Sequence, residues 1–536
     1  PHLLPDSARF LARIQAAREA REGVLVFGDF DADGLTGLAI LTLCLRRLGL
    51  DAAPYVPDRA GEGHGLSSAA IAAAGAQGRS LIITVDTGTS SLEEVREARR
   101  AGIDVLITDH HHVPLVLPEA EALVNPHRID SRYPDDRLAG TGVAFKLAGL
   151  LLGDLAGAAD AALELADLAA IGTVADVAPI AGENRSICRL GLELLRSPTR
   201  PGLVALLAAA RLDPARVDLE TIAFQIAPRL NAGGRMGEAT VAAELLLATD
   251  VASAATLAAR LEAANLARRE LTTTAVAEAR AASATSPEAP VIVVAGDWPI
   301  GIIGLVAGRL AEERGRPTVV IATGGARWRA SGRAPEGTLD LAAAFDACAD
   351  LLVRHGGHPQ AAGCELDPAS LPAFKARLLE LAASGGMAVG AHQDSRPELR
   401  LDLSVGAAEV DYTLLRDLEP LLPTGPGNPA ALVGIAGLRL VRARPANGGH
   451  TSLTLRKGRE VLDAIAFDRP DLVAALEEGD GLDVVARLAS RSFGGFESLQ
   501  LELQDIAPAG HLASLRPMDR QLPTTPGPAL VPVAAR

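Results

Sequence analysis

Short apolar runs rich in β-branched residues recur through the first two hundred positions. Each closes on a polar turn and gives way to an Ala/Leu/Arg-rich amphipathic stretch, most clearly at residues 24–27, 81–85 and 105–108. Runs this short and this continuously apolar predict buried parallel strands alternating with helices, and so a first α/β domain over residues 1–195. Between Gly237 and Pro287 there is neither Gly nor Pro, and residues 250–282 read as one long helix with Asp250 as its N-cap. That helix makes the segment 196–285 a stiff connector. Strand signals resume at 291–294 and 318–321 around an apolar helix at 302–310, giving a smaller α/β domain over 286–386. Past the Gly- and Ser-containing stretch 384–395 the pattern shortens to alternating segments at 399–403, 432–441, 451–455 and 498–503. These predict an all-β barrel over 395–507, with 508–536 left as a Pro-, Ala- and Leu-rich tail or linker.

Composition narrows the setting. The hydrophobic fraction of 48% is broken everywhere by Pro and charges, so no run approaches membrane-spanning length, and no signal peptide opens the chain. A cytoplasmic protein with no membrane partner is expected; Pro1 is not an initiator, so residues upstream are expected too. Four widely spaced cysteines, Cys44, Cys188, Cys348 and Cys364, read as reduced structural thiols. The formal net charge of -15 argues against a general polyanion-binding surface, so any nucleic-acid track must be local.

Candidate chemistry gathers at three strand ends. The turn 27–34 carries Asp29, Asp31 and Asp33 directly after the first strand, Asp86 follows the second, and Asp109, His110, His111 and His112 follow the third. Parallel strands bring their carboxyl ends to one crevice, where these groups converge. So much negative charge in one place requires a cation or basic partners. Carboxylates with one or two imidazoles suit Mn²⁺ or Mg²⁺, and a bridging carboxylate allows a pair of ions roughly 3.5–4 Å apart, an arrangement made for phosphoryl transfer.

The segments Gly28-Asp29-Phe30-Asp31-Ala32-Asp33-Gly34, Asp86-Thr87-Gly88, Asp109-His110-His111 and Gly172-Thr173-Val174-Ala175-Asp176-Val177 resemble, in order and spacing, the four motifs of the DHH phosphoesterases. The resemblance implies two divalent ions, Mn²⁺ first and Mg²⁺ as the alternative. Asp31 would hold one ion, Asp33, His110 and Asp176 the other, and Asp86 would bridge them. Asp29 and Asp109 would support these ligands, and His111 would face the scissile phosphate. The second domain resembles the DHH-associated domain through Ser331-Gly332-Arg333 and Gly356-Gly357-His358, expected as phosphate-binding turns. The segment 228–235 is similar to one of the RecJ family and would set Arg229, Asn231 and Arg235 beside the substrate; the plainer alternative is a solvated basic turn.

Val56-Pro57-Asp58-Arg59, residues 138–146 and the third module, which resembles the RecJ OB-fold, extend the likeness to that branch over nearly the whole chain. It implies an α/β fold: a parallel-sheet DHH domain, a long helix, a smaller α/β DHH-associated domain and an OB-fold barrel. It also implies 5′→3′ hydrolysis of single-stranded DNA to 5′-mononucleotides in repair and recombination. A monomer is expected, with a single-strand-binding protein or a helicase as the class of protein partner. The chain departs from the pattern in three ways. With 3% aromatic residues, the barrel has few stacking candidates, Tyr412, Phe467, Phe493 and Phe496 among them, so its grip would fall to Arg442, Arg444, Arg456 and Lys457. His64 stands where the family commonly has Tyr, and His112 adds a third imidazole.

Overall fold

The computed structural model describes residues 1–59, 61–284, 288–384, 399–493 and 496–514. Most of the Gly- and Ser-containing stretch 384–395, the tail beyond residue 514 and the side chains of Phe493 and Phe496 lie outside the described residues. The chain divides into two compact units at 395/396, with residues 423–428 belonging to the first.

The first unit opens with strands β1 (Gly23–Gly28), β2 (Asp51–Tyr55), β3 (Leu81–Val85), β4 (Asp104–Thr108) and β5 (Ala122–Val124). They form an all-parallel sheet in the order β2-β1-β3-β4-β5. The three apolar runs are β1, β3 and β4, buried because helices cover both faces of the sheet. The two edge strands, β2 and β5, gave no warning in the sequence: β2 contains Pro54, whose missing N–H is tolerated at an edge, and β5 is three residues long.

The long helix is Val251–Ser283, and Asp250 caps it by accepting from Ser253 N at 2.8 Å. Beyond it, β6 (Ile292–Gly296), β7 (Thr318–Ala322), β8 (Trp328–Arg333), β9 (Arg354–His358) and β10 (Ala361–Leu366) make a mixed sheet in the order β6-β7-β8-β10-β9. Only β6 and β7 are parallel. The helices Leu341–Asp346 and Leu371–Ala383 bury one face of this sheet, and Ile300–Arg314 covers β6, β7 and the end of β8 on the other.

The second unit is a barrel of β11 (Leu403–Val405), β12 (Val433–Ala446), β13 (His450–Lys457), β14 (Glu460–Ala466), β15 (Gly481–Phe493) and β16 (Phe496–Pro508). Pairing of β12 with β15 closes the ring β12-β13-β14-β16-β15. The strand expected at 399–403 is corrected here. The strand begins only at Leu403; just before it Asp402 N donates to Leu432 O at 3.0 Å while the Asp402 side chain accepts Leu432 N at 3.0 Å in place of a ladder bond. All four cysteines are free and buried, and no helix among the described residues is long and apolar enough to cross a membrane.

Candidate metal centre

Register builds the site. Gly28 lies opposite Val85 and Val85 opposite Thr108, so the residues that follow, Asp29, Asp86 and Asp109, emerge side by side at the carboxyl edge. There the order β2-β1-β3 reverses the direction of winding, which opens a crevice in sheets of this kind.

Backbone N–H groups then fix the carboxylates. Asp31 Oδ1 accepts from Asp33 N at 3.0 Å and Gly34 N at 3.1 Å, capping the helix Ala32–Arg47 and leaving its second oxygen for another partner. Both oxygens of Asp33 accept at 2.8 Å, from Gly140 N and Thr141 N, the first N–H groups of the helix Gly140–Ala156. The positive end of that helix dipole stabilises the charge. Gly140 is required by close approach: a Cβ there would lie 2.6 Å from both Cβ and Oδ1 of Asp86. Asp86 itself adopts φ +61°, a left-handed conformation that non-glycine residues hold only where the surroundings impose it.

Among the described residues three groups of ligand atoms, each within 4.8 Å of one another, result: Asp29, Asp31 and Asp86; Asp86, His110 and His111; and Asp33, His110 and Asp176. Asp86 Oδ1 is buried and 3.1 Å from His110 Nε2, yet it has no hydrogen-bond partner. Leaving such an oxygen unpaired is unfavourable, and a cation among these ligands satisfies it. The donor set of carboxylates and imidazoles, without thiolate, fits a hard divalent ion. Burial pushes Asp31 up to about 6 and Asp176 up to about 7 and raises Asp33 and Asp86, with neighbouring carboxylates adding to the rise at all but Asp33.

His111 is oriented from behind. Its Nδ1 meets Asp109 Oδ1 at 2.8 Å, Asn125 Nδ2 donates to its carbonyl at 3.0 Å, and its side chain is 50% exposed. The Asp109 hydrogen bond raises His111 to about 9. Asp109 stays below the usual carboxylate range although burial opposes its charge, because His111 and Thr89 donate to it. His112 is exposed and stands outside all three groups. His64, by contrast, brings Nδ1 to 3.1 Å from Asp29 Oδ2 and leans on the Phe30 ring at 4.6 Å.

The segment 228–235 is no solvated turn but a largely buried helix, Ala227–Arg235. Arg229 is buried, and its guanidinium is taken by Glu262 and by Gln225 O at 2.7 Å. Asn231 Oδ1 accepts Ala32 N at 2.7 Å and so steadies the acidic turn. Arg235 donates to Gly301 O at 3.1 Å. Burial, then the nearness of Arg59 and Arg268, holds it down to about 9. Arg59 lies 4.7 Å above the Phe30 ring, and burial lowers it and Arg333 as well. Arg59 and Arg235 therefore oppose one another close to Asp31, a repulsion that a bound anion relieves. Arg59 and Arg268 were not singled out in the sequence as site residues. Arg59 stood in a family-like segment without a role, and nothing local marks Arg268.

The phosphate-binding turns expected at 331–333 and 356–358 are corrected to strands: the first ends β8 and the second ends β9 at the sheet edge, with the turn itself at 359–360. Gly357 adopts φ +141°, and a Cβ there would meet Ala361 O at 2.5 Å, so close strand approach rather than turn geometry requires the glycine. In the second unit Arg442, Arg444 and Arg456 are exposed on β12 and β13, and Lys457 donates to Ala436 O at 2.7 Å. Tyr412 and Phe467 also reach the surface.

Comparison with known proteins agrees with this architecture. Residues 23–173 match the DHH family, N-terminal domain, residues 288–384 the DHHA1 domain, and residues 401–505 the RecJ OB domain. The single-stranded-DNA-specific exonuclease RecJ of Bacillus subtilis is 35% identical over 500 residues, 92% of this chain, which spans only 62% of that relative's length. Its counterpart from Salmonella typhimurium is 34% identical over 91% of this chain and 88% of its own. The crystal structure of RecJ from Thermus thermophilus in complex with Mn²⁺ superposes with a TM-score of 0.79 at 32% identity, covering 94% of this chain and 72% of the other. The same protein in complex with Mg²⁺ gives 0.74.

Proposed function

The chain belongs to the RecJ family, and from that premise we propose that it degrades single-stranded DNA from the 5′ end to 5′-mononucleotides by metal-dependent phosphodiester hydrolysis. The observation that carries this reading is the unpaired, buried Asp86 oxygen at the junction of two of the three ligand groups. Asp31 with Asp29 and Asp86 would hold one divalent ion, and Asp33, His110 and Asp176 the second, with Asp86 shared. Mn²⁺ or Mg²⁺ held there would supply a hydroxide nucleophile at neutral pH and neutralise the phosphate oxygens.

The remaining residues position the substrate. His111, held by Asp109, donates to an oxygen of the scissile phosphate. Arg59, Arg235 and Arg333, with Ser331, Gly332 and the strand end Gly356, Gly357 and His358, take the terminal 5′-phosphate through charge-assisted hydrogen bonds. Arg229 and Asn231 act one step back by fixing the helix and the acidic turn. His64 holds Asp29 at the rim. The barrel binds the strand downstream through its exposed arginines and the few exposed aromatics. We assign the activity to cytoplasmic DNA repair and recombination by a monomer, with a single-strand-binding protein or a helicase delivering substrate.

The test is a 5′-phosphorylated single strand labelled at either end and incubated with Mn²⁺, with duplex and chelator controls. Immediate release of the 5′ label as mononucleotide, on single strand only and with metal only, is the expected result. Survival of long strands alongside cleavage of dinucleotides would replace this reading with a short-substrate phosphodiesterase.

A further inference from the structure

Antiparallel register arranges β8, β10 and β9 in three cross-strand rows. Arg333, Ala361 and His358 form the first, Ser331, Gly363 and Gly356 the second, and Arg329, Glu365 and Arg354 the third. Strand residues two apart share a face, so all nine belong to one side of the sheet. The other side is core, built from Ala330, Ala362, Cys364 and Leu366. The nine-residue side is open along β9, where Gly356, His358 and Arg354 are exposed, and the small Ala361 and Gly363 floor a trough; over β8 the helix Ile300–Arg314 forms its other wall, a Cβ on Gly304 lying 3.2 Å from Ser331 Oγ and Arg333 Nη2. The first two rows carry the motif residues already discussed. The third has no motif and no assigned part.

Its chemistry is unbalanced. The Glu365 carboxylate is buried, and it accepts Arg354 Nε at 2.8 Å, with Arg327 Nη1 at 3.5 Å and Arg329 Nε at 3.8 Å. Three guanidinium groups around one carboxylate leave two positive charges over, in a chain whose net charge is -15. A structural ion pair needs one cation; the surplus is what an anion would meet. The trough also leads toward the metal centre, since Arg354 Nη1 lies 3.9 Å from the position of a Cβ on Gly63, next to the His64 that contacts Asp29. Rows lie two residues apart, about 7 Å, so the third is about 14 Å from the first. An extended single strand covers that distance in two phosphodiester steps.

We propose that Arg327, Arg329 and Arg354, fanned out by Glu365, form a second phosphate site that holds an internal phosphodiester of the single strand. This rests on the exonuclease reading and adds a requirement for chain length to it: a dinucleotide is too short to occupy both the first and the third row. Arginine forks suit this task because the phosphate can be gripped bidentately while Glu365 keeps the fork aimed.

The experiment compares Arg329→Gln/Arg354→Gln with the unaltered enzyme on a dinucleotide and on a long single strand, with Mn²⁺ present. We expect KM for the long strand to rise about tenfold relative to any change on the dinucleotide. The slope of log affinity against log salt should become shallower by about 0.7, the share of one phosphate on a single strand. Equal changes on both substrates, or none on either, would overturn the proposal and leave the row a structural ion pair. If the unaltered enzyme cleaves only the dinucleotide, the exonuclease reading itself falls. Should the double variant fail to fold, Arg327→Gln, which removes the guanidinium farthest along the chain from the paired rows, must show the same preference at smaller size.

Discussion

At the carboxyl edge of the first sheet each strand contributes the residues at its end, and parallel register lines up Asp29, Asp86 and Asp109. On the second sheet each strand contributes every other residue along its length, and antiparallel register lines up Arg333, Ser331 and Arg329 opposite His358, Gly356 and Arg354. The first arrangement concentrates charge at a point, buries it and holds it with backbone N–H groups. The second spreads opposite charge along an open trough. The difference suits the two jobs: an ion needs several ligands within one coordination shell, whereas a strand needs partners at intervals.

The comparison breaks most sharply at the point-like site. Asp86→Ala removes the ligand shared by two groups and should bring hydrolysis to background while the protein stays folded, as circular dichroism would verify; residual turnover above about one per cent would contradict the assignment. Next comes Gly140→Ala. Its methyl would overlap Asp86, so metal affinity measured by calorimetry should fall by about 10–100-fold, the usual effect of disturbing the support of a ligand. Unchanged affinity would mean that Asp86 can move freely.

A third test uses pH. Folded-state values of about 6 for Asp31 and about 7 for Asp176 lie above the ordinary 3.8, so the metal-free folded protein holds protons that the unfolded chain has released. Its stability must therefore fall as pH rises from about 4 through 7. Melting with chelator should show Tm dropping across that window and Mn²⁺ restoring it, while a flat chelator curve would disprove the link.

The smallest effect concerns Val177, an exposed residue that follows Asp176 at φ +59°. Val177 N and Ala178 N bond back to Val174 O and Thr173 O, a helix-ending pattern that favours glycine. Val177→Gly should stabilise the protein by about 1 kcal/mol, read as a small rise in Tm. A fall would show that the valine side chain makes a contact worth more than the strain.

The sequence by itself determined the layered α/β plan, the long capped helix, the all-β character of the third module and the acidic and imidazole clusters. Each is written locally: apolar runs specify buried strands, Asp250 specifies a helix start, and residues after a parallel strand must fall at its carboxyl end. The tertiary structure alone decided the rest. It turned Arg229 into a pair with Glu262, set Asn231 on the acidic turn, brought Arg59 and Arg268 near Arg235, brought His64 but not His112 to the centre, and replaced two expected turns by strands. These outcomes depend on which distant segments pack together and in what register, and no local pattern of side chains encodes the partner a charged group will meet across a fold.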